Sequence, residues 1–345
     1  MKILGCKDID REAWSALVQS STTGTWFQTP EAYEFFAQFG HDSSFASLPE
    51  LFQPFAMGLV NDDELRAVCV GYITVEKSSL KQFFTRRAII IGGPALADDC
   101  INEEVTLLLS TLRQQLSTGA NAPIYIESRN FNDYCRWKEA FASAGFDYIS
   151  HLNFHIDTSS MEVVDANLGK SRKRDIRTTI REGVSVIGHP TDEQVGEYYK
   201  VLENLYRTKV RTPLFPLSFF LALNKHKDGR LLLMEYQGRI IGGTVCVEQA
   251  NKCVYEWFVC GEDGVYPHVF PSCYATYEGI RYAAEHGCAR FDMMGAGKPD
   301  EAYGVRDFKA KFGGKEVEHG RFLCVTKPLL YKIGMLGVKI LKAIK

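Results

Sequence analysis

Three apolar runs follow one another between residues 54 and 96: PFAMGLV, LRAVCVGYITVE and RRAIIIGGPAL. The first two meet at NDDE, so residues 54–96 predict an antiparallel meander. A helix is predicted over 103–116, then the strand PIYIES, a helix over 132–144 and the strand YISHLNFHIDT. From residue 230 the same order returns. RLLLMEY turns at QG into RIIGGTVCVEQ, and KCVYEWFVC follows. Helical spacing of Tyr274, Tyr277, Ile280 and Ala284, with Gly287 as a stop, predicts a helix over 272–286. ARFDMM, a charged loop with a short helix, and VEHGRFLCV complete the second half. The repeat is one of structure rather than of letters. It places Glu127 and Asp292 in equivalent positions, each on the strand after a long helix.

This order predicts an α/β (α+β) protein with two mixed sheets. The boundary is expected between 159 and 169, giving units over 1–160 and 161–326 and a basic amphipathic helix over 327–345. Two helices introduce the second unit. The first lies in LGKSRKRDIRTTIREGVSV, with Ile176 and Ile180 marking its buried side. The second starts at Thr191, where Gln194 completes a capping box, and carries Val195, Tyr198, Leu202 and Leu205 on one stripe.

Hydrophobic residues make up 46% and charged residues 24% of 345, an ordinary globular mixture that leaves no room for a long disordered arm. A net charge of -2 argues against a general nucleic-acid coat and confines any anionic partner to a local patch. MKILGCKDIDREAW holds no apolar signal segment, so a cytoplasmic location with reduced thiols is expected. Among the ten cysteines, Cys246, Cys253 and Cys260 form no CxxC pair and have no nearby histidine; no metal site is expected, and they read as small core residues. No serine or cysteine stands in a nucleophile-elbow pattern, which favours direct transfer over a covalent enzyme intermediate.

FDMMGAG followed by DFKAKFGG carries Phe291, Asp292, Phe308, Lys309, Phe312 and Gly313. With KSRKRDIRTTIREG and ENLYRTKVRTPLFP, it resembles the FemAB-like aminoacyl and acyl transferases of the GNAT-like (acyl-CoA N-acyltransferase) superfamily. The resemblance implies two tandem GNAT-like domains, with the active site largely in the second. It also implies joining of an activated carboxyl group to an amine of a cell-envelope precursor, peptidoglycan or surface glycan, small or lipid-linked. No tightly bound cofactor is implied; the donor is a co-substrate, aminoacyl-tRNA, acyl-CoA or acyl carrier protein. The donor stays open, because VFPSC stands where a QxxGxG pyrophosphate loop would precede the helix at Ser272, and no coiled-coil insertion is present. Two other readings remain: an acyl-CoA-dependent acetyltransferase acting on an amino sugar or small amine, and a silent ligand-binding protein of the same fold.

Amide formation needs a proton acceptor and a positive group beside the oxyanion. Lys309, desolvated between Phe308 and Phe312, is the candidate for the second; its plain alternative is a snorkelling surface lysine, as is Lys311. Asp292 is a candidate acceptor or amine-orienting group, against a plain role in capping the following loop. Tyr255 and Glu256 alternate on a central strand, so one of them faces a cleft. Arg174, Arg177 and Arg181 share a helix face suited to phosphate, or to plain solvation. Arg207 and Arg211 border a proline-limited loop, and His268 precedes a helix; all three are candidates for substrate contact. At the C-terminus, Leu329, Ile333, Leu336, Ile340 and Ile344 recur at helical spacing among Lys332, Lys339, Lys342 and Lys345, a pattern that fits either an anionic membrane surface or docking on the protein.

Overall fold

Chain contacts divide the molecule into two units, Met1–His151 with His319–Lys345, and Leu152–Glu318. The computed structural model describes residues 1–40, 48–75, 85–119 and 122–343, with side chains described up to residue 336. The first unit begins with β1 (Lys2–Gly5), α1 (Arg11–Ser20), α2 (Pro30–Ala37), β2 (Phe52–Asn61) and β3 (Glu64–Thr74). It continues with β4 (Ala88–Gly92), β5 (Ala95–Leu96), α3 (Asn102–Ser117), β6 (Tyr125–Asn130), α4 (Lys138–Ser143) and β7 (Asp147–Ile149). The expected turn at NDDE forms with Asp62 and Asp63 both left-handed, at φ 49° and 62°, a conformation that short polar side chains tolerate in hairpins.

The second unit runs through β8 (Leu152–Asp157), α5 (Met161–Asn167), α6 (Lys170–Arg181), β9 (Ser185–Ile187), α7 (Asp192–Leu205) and α8 (Leu217–Lys225). Then come β10 (Gly229–Tyr236), β11 (Arg239–Gln249), β12 (Cys253–Gly261), α9 (Pro271–Glu285), β13 (Arg290–Asp292), α10 (Gly304–Ala310) and β14 (Lys315–Glu318). The chain closes in the first unit with β15 (Arg321–Val325) and α11 (Pro328–Ala343).

The first sheet has the order β1-β2-β3-β4-β6-β15-β7, with β5 also paired to β3, and the second the order β14-β8-β13-β12-β11-β10-β9. The pairs β4–β6 and β12–β13 are parallel. The first sheet thus takes its inner strand β15 from beyond the whole second unit in sequence, and the second sheet begins with β8, ahead of the expected boundary. YISHLNFHIDT and VEHGRFLCV, each expected as one strand, are each two strands in different sheets. The second run breaks at Gly320, which is left-handed at φ 63°. The expected limits of 1–160 and 161–326 therefore shift: 152–157 belongs to the second sheet and 321–325 to the first. Alternation marks both halves of each run as strand but does not say which sheet receives them.

Helices cover the sheets where their apolar stripes fall. In the first unit Val105, Leu108, Leu112 and Phe141 from α3 and α4 join Met57, Ile90, Ile126 and Phe322, while Trp14, Leu17 and Val18 of α1 cluster with Val68 and Val70. In the second, Cys273, Ile280 and Ala283 of α9 pack with Met234, Cys246, Val254 and Phe291. The capping box at Thr191 and Gln194 forms and starts α7, whose Val195, Tyr198 and Leu202 are buried. Ile180 of α6 is 49% exposed, so the buried side expected there holds at Ile176 alone. All ten cysteines are free and eight are buried. Burial pushes the thiols of Cys246, Cys253 and Cys260 up, which keeps them protonated. Among the described residues no helix is long and apolar enough to cross a membrane.

Candidate active site

The parallel ladder between β12 and β13 lasts three pairs, Cys253–Arg290, Val254–Phe291 and Tyr255–Asp292. β12 continues to Gly261, but the chain after Asp292 stays with β8. Met293 N donates to Phe154 O at 3.1 Å, Ala296 N to Leu152 O at 2.7 Å, and Leu152 N to Gly297 O at 2.8 Å. The two central strands therefore part beyond Asp292. In the first unit the matching ladder, β4–β6, stays paired over five positions from Ala88–Ile126 to Gly92–Asn130. There Glu127 lies within 2.8 Å of both Arg129 and Arg321, which hold its carboxyl down at about 2 against burial. The opening is a property of the second unit.

A turn of unusual backbone geometry sits at the point of divergence. Met294 is left-handed at φ 53° and Gly295 follows at φ 107°, a conformation that costs a side-chain-bearing residue energy unless it is held in place. Asp292 and Asn153 hold it. Asp292 Oδ1 accepts from Asn153 Nδ2 at 2.7 Å and from Met294 N at 2.8 Å. Asn153 Oδ1 accepts from Gly295 N at 2.7 Å and from Phe154 N at 2.8 Å. His155 Nε2 lies 3.1 Å from Asp292 Oδ2. Burial raises the Asp292 carboxyl, but His155, Arg290 and Asn153 bring it below its ordinary value. Asp292 is thus a fully buried, anchored carboxylate whose visible work is capping the turn.

α10 is fastened to this loop by two cations one turn apart. Lys309 is buried, and its Nζ donates to the carbonyls of Met293 and, at 2.8 Å, Gly295. Arg306 Nε donates to Ala296 O at 3.1 Å and its Nη2 to Lys298 O. Beyond the helix, Gly313 is left-handed at φ 80°, and a Cβ there would stand 2.0 Å from Asn167 O, so the glycine after FK and F is required by packing. The rings of Phe308 and Phe312 meet edge-on at 5.3 Å, and the Arg172 guanidinium lies over both, at 4.4 and 5.0 Å. Lys309 is therefore not a snorkelling lysine, whereas Lys311 is exposed.

Glu256 approaches from the β12 side. Its Oε1 accepts from Thr276 Oγ1 at 2.8 Å and from Thr244 Oγ1 at 3.3 Å, while its Oε2 is buried without a hydrogen-bond partner among the described residues. Burial pushes the Glu256 carboxyl up, opposed by Lys309 and the two threonines. Burial likewise pulls Lys309 down, opposed by Glu256 and Asp292. Low dielectric thus disfavours the charge on each group, and each is partly held charged by the other.

A sign follows for stability. A carboxyl raised on folding supports the fold below its unfolded value, about 4.3, and that support is lost as pH rises through the folded value. Glu256→Gln does not titrate, so its melting temperature relative to wild type is expected to climb from pH 4 to pH 8. A flat or falling difference in thermal melts would remove the inference.

The other sequence candidates are dispersed. Tyr255 is fully buried and its hydroxyl donates to Gln249 Oε1 at 3.3 Å, so of the alternating pair it is Glu256 that faces α9 and Lys309. Arg174 and Arg177 are exposed on α6, Arg174 bonding Asp175 at 2.9 Å. Arg207 and Arg211 are exposed around a π turn over 206–210 that ends α7; they bond Asn204 at 3.0 Å and the Thr208 carbonyl at 3.2 Å, with Arg211 left-handed at φ 57°. His268 is exposed and left-handed at φ 63°. Sequence reasoning missed Asn153, His155, Arg306 and the threonine pair. Arg306 alone carried a local signal, its spacing of three from Lys309.

The start of α9 also constrains the chemistry. Pro271 offers no N–H, and the Ser272 N–H donates to the Asp263 carboxylate at 3.3 Å. A protein carboxylate thus occupies the place where a helix N-terminus would receive a phosphate.

Residues 230–337 match the FemAB family. Among curated proteins none matches the chain. The crystal structure of FemX is similar at a TM-score of 0.69 and 13% identity, covering 96% of this chain and 99% of that one. The C-terminal domain (DUF2156) of a putative lysylphosphatidylglycerol synthetase from Agrobacterium fabrum is similar at a TM-score of 0.56 and 13% identity, with 96% of each chain covered. A tandem GNAT protein from the clavulanic acid biosynthesis pathway is similar at 0.56 and 8% identity, covering 94% of this chain and 98% of that one. The fold is that of two tandem GNAT-like domains. The FemAB match is confined to residues 230–337, and over the rest of the chain the likeness is one of fold.

Proposed function

We propose that the protein transfers an aminoacyl group from an activated ester to an amine of a cell-envelope precursor, with Lys309 as the positive group at the opening between β12 and β13. The observation that carries the reading is the burial of Lys309 where the two central strands part, stapled to the FDMMGAG loop. The amine nitrogen attacks the ester carbonyl carbon; the carbon–oxygen bond to the leaving group breaks, and the proton lost by the amine passes to the departing oxygen or to solvent. A desolvated ammonium beside the developing oxyanion stabilises it more strongly than it would in water. The envelope acceptor is supported by the FemAB match and by the likeness to a lysylphosphatidylglycerol synthetase, whose name describes an aminoacylated lipid.

Asp263 and Pro271 favour aminoacyl-tRNA over acyl-CoA as donor. They place a negative charge and a missing donor at the helix start, where the coenzyme's pyrophosphate would require the reverse. Incubation with charged tRNA, acyl-CoA and acyl carrier protein in parallel, against a panel of amines, tests this. Loss of charged tRNA that depends on the amine is expected; turnover of acyl-CoA alone would replace the reading with a small-amine acetyltransferase, and turnover of none with a silent binding protein.

The exposed arginines of α6 fit the phosphates of such substrates. Arg174→Gln with Arg177→Gln is expected to raise the KM for a phosphate-bearing substrate several-fold more than it lowers kcat, with an effect that shrinks in salt. An unchanged KM would leave these side chains as a solvated face.

A further inference from the structure

α11 leaves its apolar stripe outside. Thr326 N and Lys327 N both donate to Ile124 O at 3.0 Å, and Tyr331 packs edge-on against Tyr125 at 5.6 Å, so the first turns of the helix are fixed to the edge of the first unit by one face. Leu330, Tyr331 and Gly334 are half-buried on that face. Leu329, Ile333 and Leu336, at helical spacing, are 78%, 55% and 59% exposed, and Met335 beside them is 45% exposed. The docked alternative therefore fails for the described side chains. Ile340, Ile344, Lys339, Lys342 and Lys345, which continue the pattern in sequence, lie outside the side chains described.

We propose that this face of α11 seats the protein on an anionic lipid surface. The charge selects the occupant. From residue 326 to 345 the chain holds Lys327, Lys332, Lys339, Lys342 and Lys345 and no aspartate or glutamate. A second copy would oppose lysines to lysines across an apolar seam, whereas anionic headgroups attract every one of them. A helix with a leucine and isoleucine stripe bounded by lysines, and too charged to cross a bilayer, lies in the headgroup plane. Fixed by its opposite face to the start of β6, it would carry the first unit with it.

The test uses the full-length protein and does not depend on its transferase activity, so its failure and that of the functional reading are separable. In sedimentation with phosphatidylglycerol-containing vesicles, binding is expected that weakens several-fold between low and high salt and is weak or absent with phosphatidylcholine alone. Leu329→Ser, Ile333→Ser and Leu336→Ser together remove exposed side chains and leave folding unchanged; they are expected to lower partitioning at least about 100-fold. Lys332→Glu is expected to lower anionic binding while keeping the apolar stripe. No binding to anionic vesicles, equal binding to both compositions, or a concentration-dependent dimer that the triple substitution dissolves would each overturn the proposal, the last by making a second copy the occupant.

Discussion

Lys309→Met lowers kcat by about 100-fold or more if the ammonium stabilises the oxyanion, since that is the usual loss on removing one such partner. The substitution keeps an apolar stem of similar length, and it also removes the donor that Met293 and Gly295 share. Orphaned carbonyls cost about 1–3 kcal/mol of stability each, so the melting temperature falls as well. The two roles separate in one experiment. Turnover is measured per folded molecule well below the melting point; wild-type turnover there, with a lowered melting temperature, would make Lys309 a staple and nothing more. A loss that persists at saturating substrate places the charge in the transition state rather than in binding.

Asp292→Ala is expected to cost about 3–5 kcal/mol, the range for breaking a buried charged network by removing one partner. Met294 N–H and Asn153 Nδ2 lose their acceptor, and the left-handed turn loses what holds it. The pH dependence has the opposite sign to that of Glu256. A carboxyl lowered on folding contributes stability above its unfolded value, about 3.9, and that contribution is lost as pH falls through the folded value. The gap between wild type and variant in chemical denaturation is therefore expected to be wide at pH 7 and to narrow toward pH 3. A gap below about 1 kcal/mol at neutral pH would mean the turn is held by the backbone of β8 alone.

Much of this site could be read before the fold was known, and the remainder has a physical reason for being hidden. FDMMGAG and DFKAKFGG marked the loop and helix because a charge between two phenylalanines breaks local pattern. Thr191 and Gln194 marked a helix start because capping is decided within four residues. Asn153 and Asp292 are 139 residues apart in the chain and meet because β8 lies beside β13, a pairing no periodicity encodes. Alternation put Tyr255 and Glu256 on opposite faces but did not say which face α9 would cover. That depended on Thr276 arriving to bond the carboxylate.

The place of β15 in the first sheet bears on how the chain is made. A ribosome delivers residues in order, so the first sheet has β6 and β7 in hand long before β15, the strand that belongs between them, has emerged. Until then those two strands have no shared neighbour to complete their ladders, and β8 waits in turn for β13 and β14. Closure of the first sheet must come after synthesis of nearly the whole polypeptide, which makes its last pairing non-local and slow in the sense that loop closure sets. A nascent chain stalled near residue 300 would show two open strand edges, the kind of surface on which chaperones act.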